Sequence, residues 1–379
     1  MIYLDNSATT EPNNEVLESF IKVSKAFFAN PSSIHQLGGE VEQLQFKARE
    51  QAANLLGIDE KEVVFTSGGT EGNNLAIKGI ALKHQGRGKH IITTEIEHSS
   101  VYETCKSLEK LGFRITFLPV NESGVIDIKQ LQKEIKDDTI LISVMHVNNE
   151  IGSIQPIEKI GQIAKQYPKL FFHVDAVQSI GKVPLNLSNS GIDLCTMSGH
   201  KIEGLKGTGM LYVQNGTTLF PLQHGGGQEF NIRSGTENVA GNVSFVKALR
   251  LIKEQENSQQ AHLKSLASFL ANHLKKINGV IINSPENHAP HIINVSIPGL
   301  KPEVVIHALY KAGVVISTQS ACSSKESEKS RVLTACHFSE ARALSGLRIS
   351  MSYRTTKDDI KQFVSVFENT VTHLQEILE

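Results

Sequence analysis

Six short apolar runs recur between residues 62 and 198, and the stretches between them carry helical periodicity. The runs are EVVFTS (62–67), HIITTE (90–95), RITFLPV (114–120), TILISVMHV (139–147), KLFFHVD (169–175) and DLCTMS (193–198). Runs that are apolar throughout, with no polar alternation, belong to strands buried on both faces. Their connections suit crossover helices, so the pattern predicts an α/β protein built on a mostly parallel sheet. Ligand groups are then expected at the C-terminal ends of the strands.

A long, largely polar helical pattern covers 239–276 and can carry the chain between two units, with the boundary expected near residue 250. Beyond it, the short apolar runs GVIINS, HIINVSIPG, GVVISTQ and GLRISMSY alternate with two helical segments, PEVVIHALYKAG and TTKDDIKQFVSVFENTVTHLQEIL. That set reads as a compact α+β unit. A length of 379 residues exceeds what one core usually serves, which agrees with two domains.

Lys and Arg number 38 and Asp and Glu 39, a net charge of −1, so no global field favours nucleic acid or a membrane surface. Four scattered cysteines, none in a C-x-x-C pair, indicate neither a disulfide framework nor a zinc site. The first residues, MIYLDNSATT, lack the pattern of a secretory leader, and no window approaches the ~18 apolar residues of a membrane span. A cytoplasmic protein is expected.

Three strand ends carry candidate chemistry. Ser67-Gly68-Gly69-Thr70 closes one strand and opens a helix. It reads either as a phosphate site, with glycines admitting the anion to free N–H groups, or as a plain turn with Thr70 as N-cap. Asp175 ends the run FFHVD, where a carboxylate can hold a positive ring nitrogen, and Gln178 follows three residues later. Ser198, His200 and Lys201 follow DLCTMS, and a lysine there is a candidate Schiff-base amine. Together these are parts of a pyridoxal phosphate site.

Other groups sit at the expected rim. His98 follows the run HIITTE as a candidate acid/base group or ring stacker. Asn149 follows TILISVMHV and can donate to a ligand oxygen. Cys322, in the polar stretch STQSACSSKESEKS, is expected to be an exposed and reactive thiol. Cys105 and Cys195 fall in a helical and a strand pattern and fit packing roles, while Cys336 fits either.

The motifs YLDNSATT, NPSSIH, FTSGGTEGNN, MHVNNEIGSIQPI, FHVDAVQSIGKVP, SGHKIEGLKGTG, GGGQEFNIRSGTENV, SACSS and LRISMSYRTT stand in this order along nearly the whole chain. In this the chain resembles the NifS and IscS cysteine desulfurases, which are class V aminotransferase-like and depend on pyridoxal 5'-phosphate. The resemblance implies fold type I, with a large domain on a mostly parallel seven-stranded sheet (15–250). A smaller α+β domain (1–14 and 251–379) would carry the catalytic cysteine. It further implies that Lys201 bonds the cofactor, Asp175 pairs with its ring nitrogen, Gln178 contacts its phenolic oxygen, and His98 stacks on the ring and takes part in proton transfers.

By the same resemblance Gly69, Thr70, Ser198 and His200 hold the phosphate, joined by Thr236 of a partner subunit in a homodimer. Asn149 and Arg348 bind L-cysteine, the guanidinium gripping its carboxylate, and Asn149 also contacts the cofactor. Cys322 takes the sulfur as a persulfide and passes it to an acceptor protein, an iron–sulfur scaffold or a tRNA-thiolation enzyme. The polar stretch between Cys322 and Arg348 resembles the long-loop members. Competing expectations are a selenocysteine lyase, another pyridoxal phosphate C–S lyase or an aminotransferase of the same fold, and a requirement for Cys322 discriminates among them.

Overall fold

The computed structural model describes residues 1–318 and 329–378; Cys322 lies outside them. In chain order the elements are β1 (Ile2–Tyr3), α1 (Asn14–Ala26), α2 (Gln36–Leu56), β2 (Val63–Thr66), α3 (Gly69–His84), β3 (His90–Thr94), α4 (Ser99–Glu109), β4 (Arg114–Leu118), α5 (Ile128–Glu134), β5 (Thr139–Met145), α6 (Ile157–Ala164), β6 (Phe171–Asp175), β7 (Leu194–Ser198) and β8 (Gly209–Val213). They continue with α7 (Val239–Leu274), β9 (Ile281–Ile282), β10 (Ile292–Ser296), α8 (Pro302–Lys311), β11 (Val314–Val315), α9 (Arg331–Ala335), α10 (Glu340–Leu344), β12 (Gly346–Ser350) and α11 (Lys357–Leu378).

All six apolar runs are strands of one seven-stranded sheet, ordered β2-β8-β7-β6-β5-β3-β4. The pairs β7-β6, β6-β5, β5-β3 and β3-β4 are parallel, as expected. The seventh strand, β8, runs antiparallel to both β2 and β7. It lies in the glycine-rich sequence after Lys201 and returns from β7 without a crossover helix, which makes antiparallel pairing the only geometry open to it.

Helices cover both faces of this sheet. Successive residues point to opposite sides of a strand. Ile91, Leu141 and Leu194 accordingly pack with α3 and α4, while their neighbours Ile92, Ile142 and Cys195 face the other core, which also holds Phe245 and Leu249 of α7. Each such fully buried aliphatic side chain stabilises the fold by about 1.5–3 kcal/mol.

Helix α7 passes residue 250 unbroken, and α1 and α2 pack against it. Beyond α7 a small antiparallel sheet is ordered β12-β10-β9, with α8 and α11 packed on one another. The first residues of the chain join the last third: β1 pairs in parallel with β11, and Asp5 bridges to Ser350. Among the described residues no helix is long and apolar enough to cross a membrane.

Candidate active site

The C-terminal ends of β5, β6 and β7 and the start of α3 converge on one cleft. Gly69, Thr70, His98, Asn149, Asp175, Gln178, His200, Lys201 and Arg348 line it, nine residues singled out from the sequence. Ser198 is buried at the end of β7, beneath the glycine pair. Thr236 is exposed and does not line the cleft of its own chain.

Helix α3 opens one corner of the cleft. Its N-cap is Gly68, at φ 145°, with no side-chain cap, so Thr70 is not the cap but stands in the first helical turn. A Cβ on Gly69 would come within 2.9 Å of a Val177 methyl, so only glycine keeps this approach open. The first-turn N–H groups have no partner within the helix and stand at the positive end of its dipole. The buried Ser198 hydroxyl also has no partner among the described residues, and it sits 3.6 Å from where a Gly68 Cβ would be. Free helix N–H groups with an orphaned buried hydroxyl are what a phosphate would satisfy.

A short 3-10 turn, Gly199–Lys201, follows β7 and delivers His200 and Lys201. Gly199 is obligatory there, since a Cβ would meet Thr208 Oγ1 at 2.2 Å. The Lys201 ammonium donates to the carbonyls of Ser7 and Ala8, the latter at 2.7 Å. Burial, then the charges of Lys201, Lys206 and Lys182, push His200 down to about 4, so its ring is neutral near pH 7.

Asp175 is buried at the end of β6. Its Oδ2 accepts from Asn73 Nδ2 at 2.7 Å and its Oδ1 from the Val177 N–H at 3.0 Å. Gln178 donates through Nε2 to the Ser7 carbonyl at 3.0 Å. His98 caps α4, its Nδ1 accepting from the Ser100 N–H at 3.2 Å. Burial lowers its pKa, and the nearby Asp175 charge opposes that shift.

Arg348, on β12, is almost wholly buried. Its guanidinium donates to Asp5 Oδ1 at 3.0 Å, to Ser317 Oγ at 2.8 Å and to the Asn149 carbonyl at 3.0 Å, while Nε has no partner among the described residues.

Cys336 is settled by burial: it is fully enclosed, and desolvation pushes its thiol up to about 12, so it packs and does not react. Cys105 and Cys195 are buried too, as expected, and their thiols are raised further.

Sequence reasoning assigned no role to Ser7, Ala8, Asn73 or Ser100. Asn73 had a readable signal, because it stands one helical turn after Gly69 and therefore on the same face of α3. Ser7 and Ala8 act through backbone carbonyls, which no residue type announces.

The aminotransferase class-V family model matches residues 2–363, and the chain belongs to that family. Several of its relatives carry the name cysteine desulfurase. The chain is 44% identical to the cysteine desulfurase IscS of Dictyoglomus turgidum over 378 residues, 99% of this chain and 96% of the relative. A solved NifS-like protein superposes with a TM-score of 0.92 at 36% identity, covering 98% of this chain and 99% of its own. A structure described as SspA in complex with cysteine superposes at 0.82, with 37% identity over 93% of this chain and 99% of that one.

Proposed function

We propose that this protein removes sulfur from L-cysteine, releasing L-alanine and leaving a persulfide on Cys322 that is handed to an acceptor protein for iron–sulfur cluster assembly or tRNA thiolation. The observation that carries the reading is the convergence, in one cleft, of the Lys201 amine, the buried Asp175 carboxylate and the α3 N-terminus with its orphaned Ser198 hydroxyl. These residues fit pyridoxal 5'-phosphate: an anion corner, a carboxylate for a ring N–H and an amine for a carbonyl carbon. The cofactor supplies an electron sink for charge developed at the substrate's α-carbon.

The chain's own residues do the rest. Gly69, Thr70, Ser198 and His200 hold the phosphate, and Thr236, exposed on one protomer, serves the cleft of the partner in a homodimer. Asp175 would accept a ring N–H and keep that nitrogen protonated, Gln178 would offer its second amide N–H to a phenolic oxygen, and His98 would stack on the ring. Lys201 would hold the cofactor's carbonyl carbon through its amine, and the same amine is placed to move a proton at the substrate's α-carbon. Arg348 and Asn149 orient the cysteine carboxylate. The Cys322 thiolate bonds to the substrate sulfur as the C–S bond breaks, and the carbon skeleton leaves as alanine.

The division into a cofactor domain (15–250) and a smaller domain (1–14 and 251–379) follows, supported by the pairing of β1 with β11. A cytoplasmic setting suits a reactive thiol.

The test is release of alanine and sulfide from L-cysteine with added thiol, on wild type and Cys322→Ala, with mass spectrometry of the Cys322 peptide. Equal alanine and sulfide, a persulfide mass and a dead variant support the reading. An active variant, or no persulfide, overturns it in favour of a thiol-independent reaction.

A further inference from the structure

The cleft contains a continuous hydrogen-bonded chain that joins the Asp175 carboxylate to the His98 ring. Asn73 Nδ2 donates to Asp175 Oδ2 at 2.7 Å and to Ser100 Oγ at 2.8 Å, and Ser100 Oγ lies 2.8 Å from His98 Nδ1. Asn73 and Ser100 are both buried. The direction of each bond is fixed by chemistry. A carboxylate only accepts, so Asn73 must face it with its NH2 group, and that group's two hydrogens serve Asp175 and Ser100. The Ser100 hydroxyl accepts from Asn73 and keeps its own hydrogen to give, and His98 Nδ1, already the acceptor of the Ser100 backbone N–H, takes it.

The backbone makes the same demand. The Ser100 N–H also points at Nδ1, at 3.2 Å, as part of the helix cap. Two donors on one ring nitrogen leave no place for a proton there, and a neutral imidazole so held carries its hydrogen on Nε2. The orphaned Oδ1 of Asn73 is the cost of this orientation, since turning the amide over would pair it but set oxygen against the Asp175 carboxylate.

We propose that Asn73 and Ser100 are positioning residues that lock His98 as the neutral Nε2–H tautomer, so that His98 presents a hydrogen-bond donor to the cleft. The inference rests on the reading of the cleft as a pyridoxal phosphate site for its catalytic meaning, but the relay exists in the protein without the cofactor.

The test is nitrogen-15 NMR of histidine-labelled protein, with and without pyridoxal phosphate, titrated over pH in wild type, Ser100→Ala, Ser100→Thr and Asn73→Ala. The charged groups that act on His98 are Asp175, Lys201, Arg331 and Arg348, and all four remain in every variant. Wild type should show a single Nε2–H tautomer. Ser100→Ala and Asn73→Ala should shift the His98 titration upward, by up to about one pH unit for one lost hydrogen bond, and Ser100→Thr should restore it. A wild-type His98 protonated on Nδ1, or titrations identical in all four proteins, overturns the proposal. Failure of the protein to take up the cofactor, read from absorbance, instead overturns the reading of the site.

Discussion

Arg348 Nη2 lies 3.0 Å from Asp5 Oδ1, between residues 343 positions apart in the chain. Ser317 closes the triangle, its hydroxyl accepting from the same Nη2 and donating to the same carboxylate oxygen, both at 2.8 Å. A long flexible cation is thereby held in one orientation, which lowers the entropy cost of any carboxylate it binds.

Asp5→Asn keeps an acceptor for Arg348, whereas Asp5→Ala removes it. Loss of one charge-assisted hydrogen bond, at about 1.5 kcal/mol, corresponds to a roughly 10-fold change in affinity. Asp5→Ala is therefore expected to raise KM for L-cysteine about 10-fold with a smaller change in kcat, and Asp5→Asn to stay within about 3-fold of wild type. Steady-state kinetics decide, and an unchanged KM in Asp5→Ala removes Asp5 from substrate positioning.

Alkylation separates the thiols. Burial raises the thiol pKa of Cys105, Cys195 and Cys336, so iodoacetamide at pH 7.5 should leave all three unmodified in the folded protein and label all three after denaturation. Peptide mass spectrometry gives the answer. Labelling of native Cys336 at the rate of a free thiol contradicts its packing role.

His173 sits wholly buried on β6 between Ser143 Oγ at 2.8 Å and Thr196 Oγ1 at 3.0 Å, and burial lowers its pKa to about 3. Unfolded, it titrates near 6.5, so between pH 6.5 and 3 the unfolded chain binds a proton that the folded one refuses. Its contribution is full above pH 6.5 and is lost as pH falls through that window. Relative to His173→Gln, wild type should lose up to about 1.4 kcal/mol of stability per pH unit there. Urea unfolding at pH 5 and 7 measures the difference, and parallel stabilities for the two proteins would contradict a neutral buried ring.

The strand ends were legible because an apolar run that stops at a polar residue marks both the strand and the end that faces the cleft. Asp175 and Lys201 reach the cleft in this way, and Ser198 is buried at the end of its strand. β8 was not legible, because its five residues follow a glycine-rich stretch and lack a crossover helix to frame them. Thr70 read either as a phosphate donor or as a cap, and the cap proves to be Gly68, at a φ of 145° that a side chain disfavours. The Asn73 relay and the Asp5 to Arg348 pair stayed hidden for a simpler reason. Each joins residues whose proximity is a product of the whole fold, and neither leaves a local pattern.

The Lys201 ammonium rests on the carbonyls of Ser7 and Ala8, and those residues are tied to Ser350 through the Ser7 N–H and Asn6. On the ribosome residues 4–8 are made before the large sheet, and β12, which receives them, after it. The strands that end in Asp175 and Ser198 can therefore pair before that contact closes, and a nascent chain stalled before residue 350 lacks the strand that ties Asn6 and Ser7 in place beside Lys201.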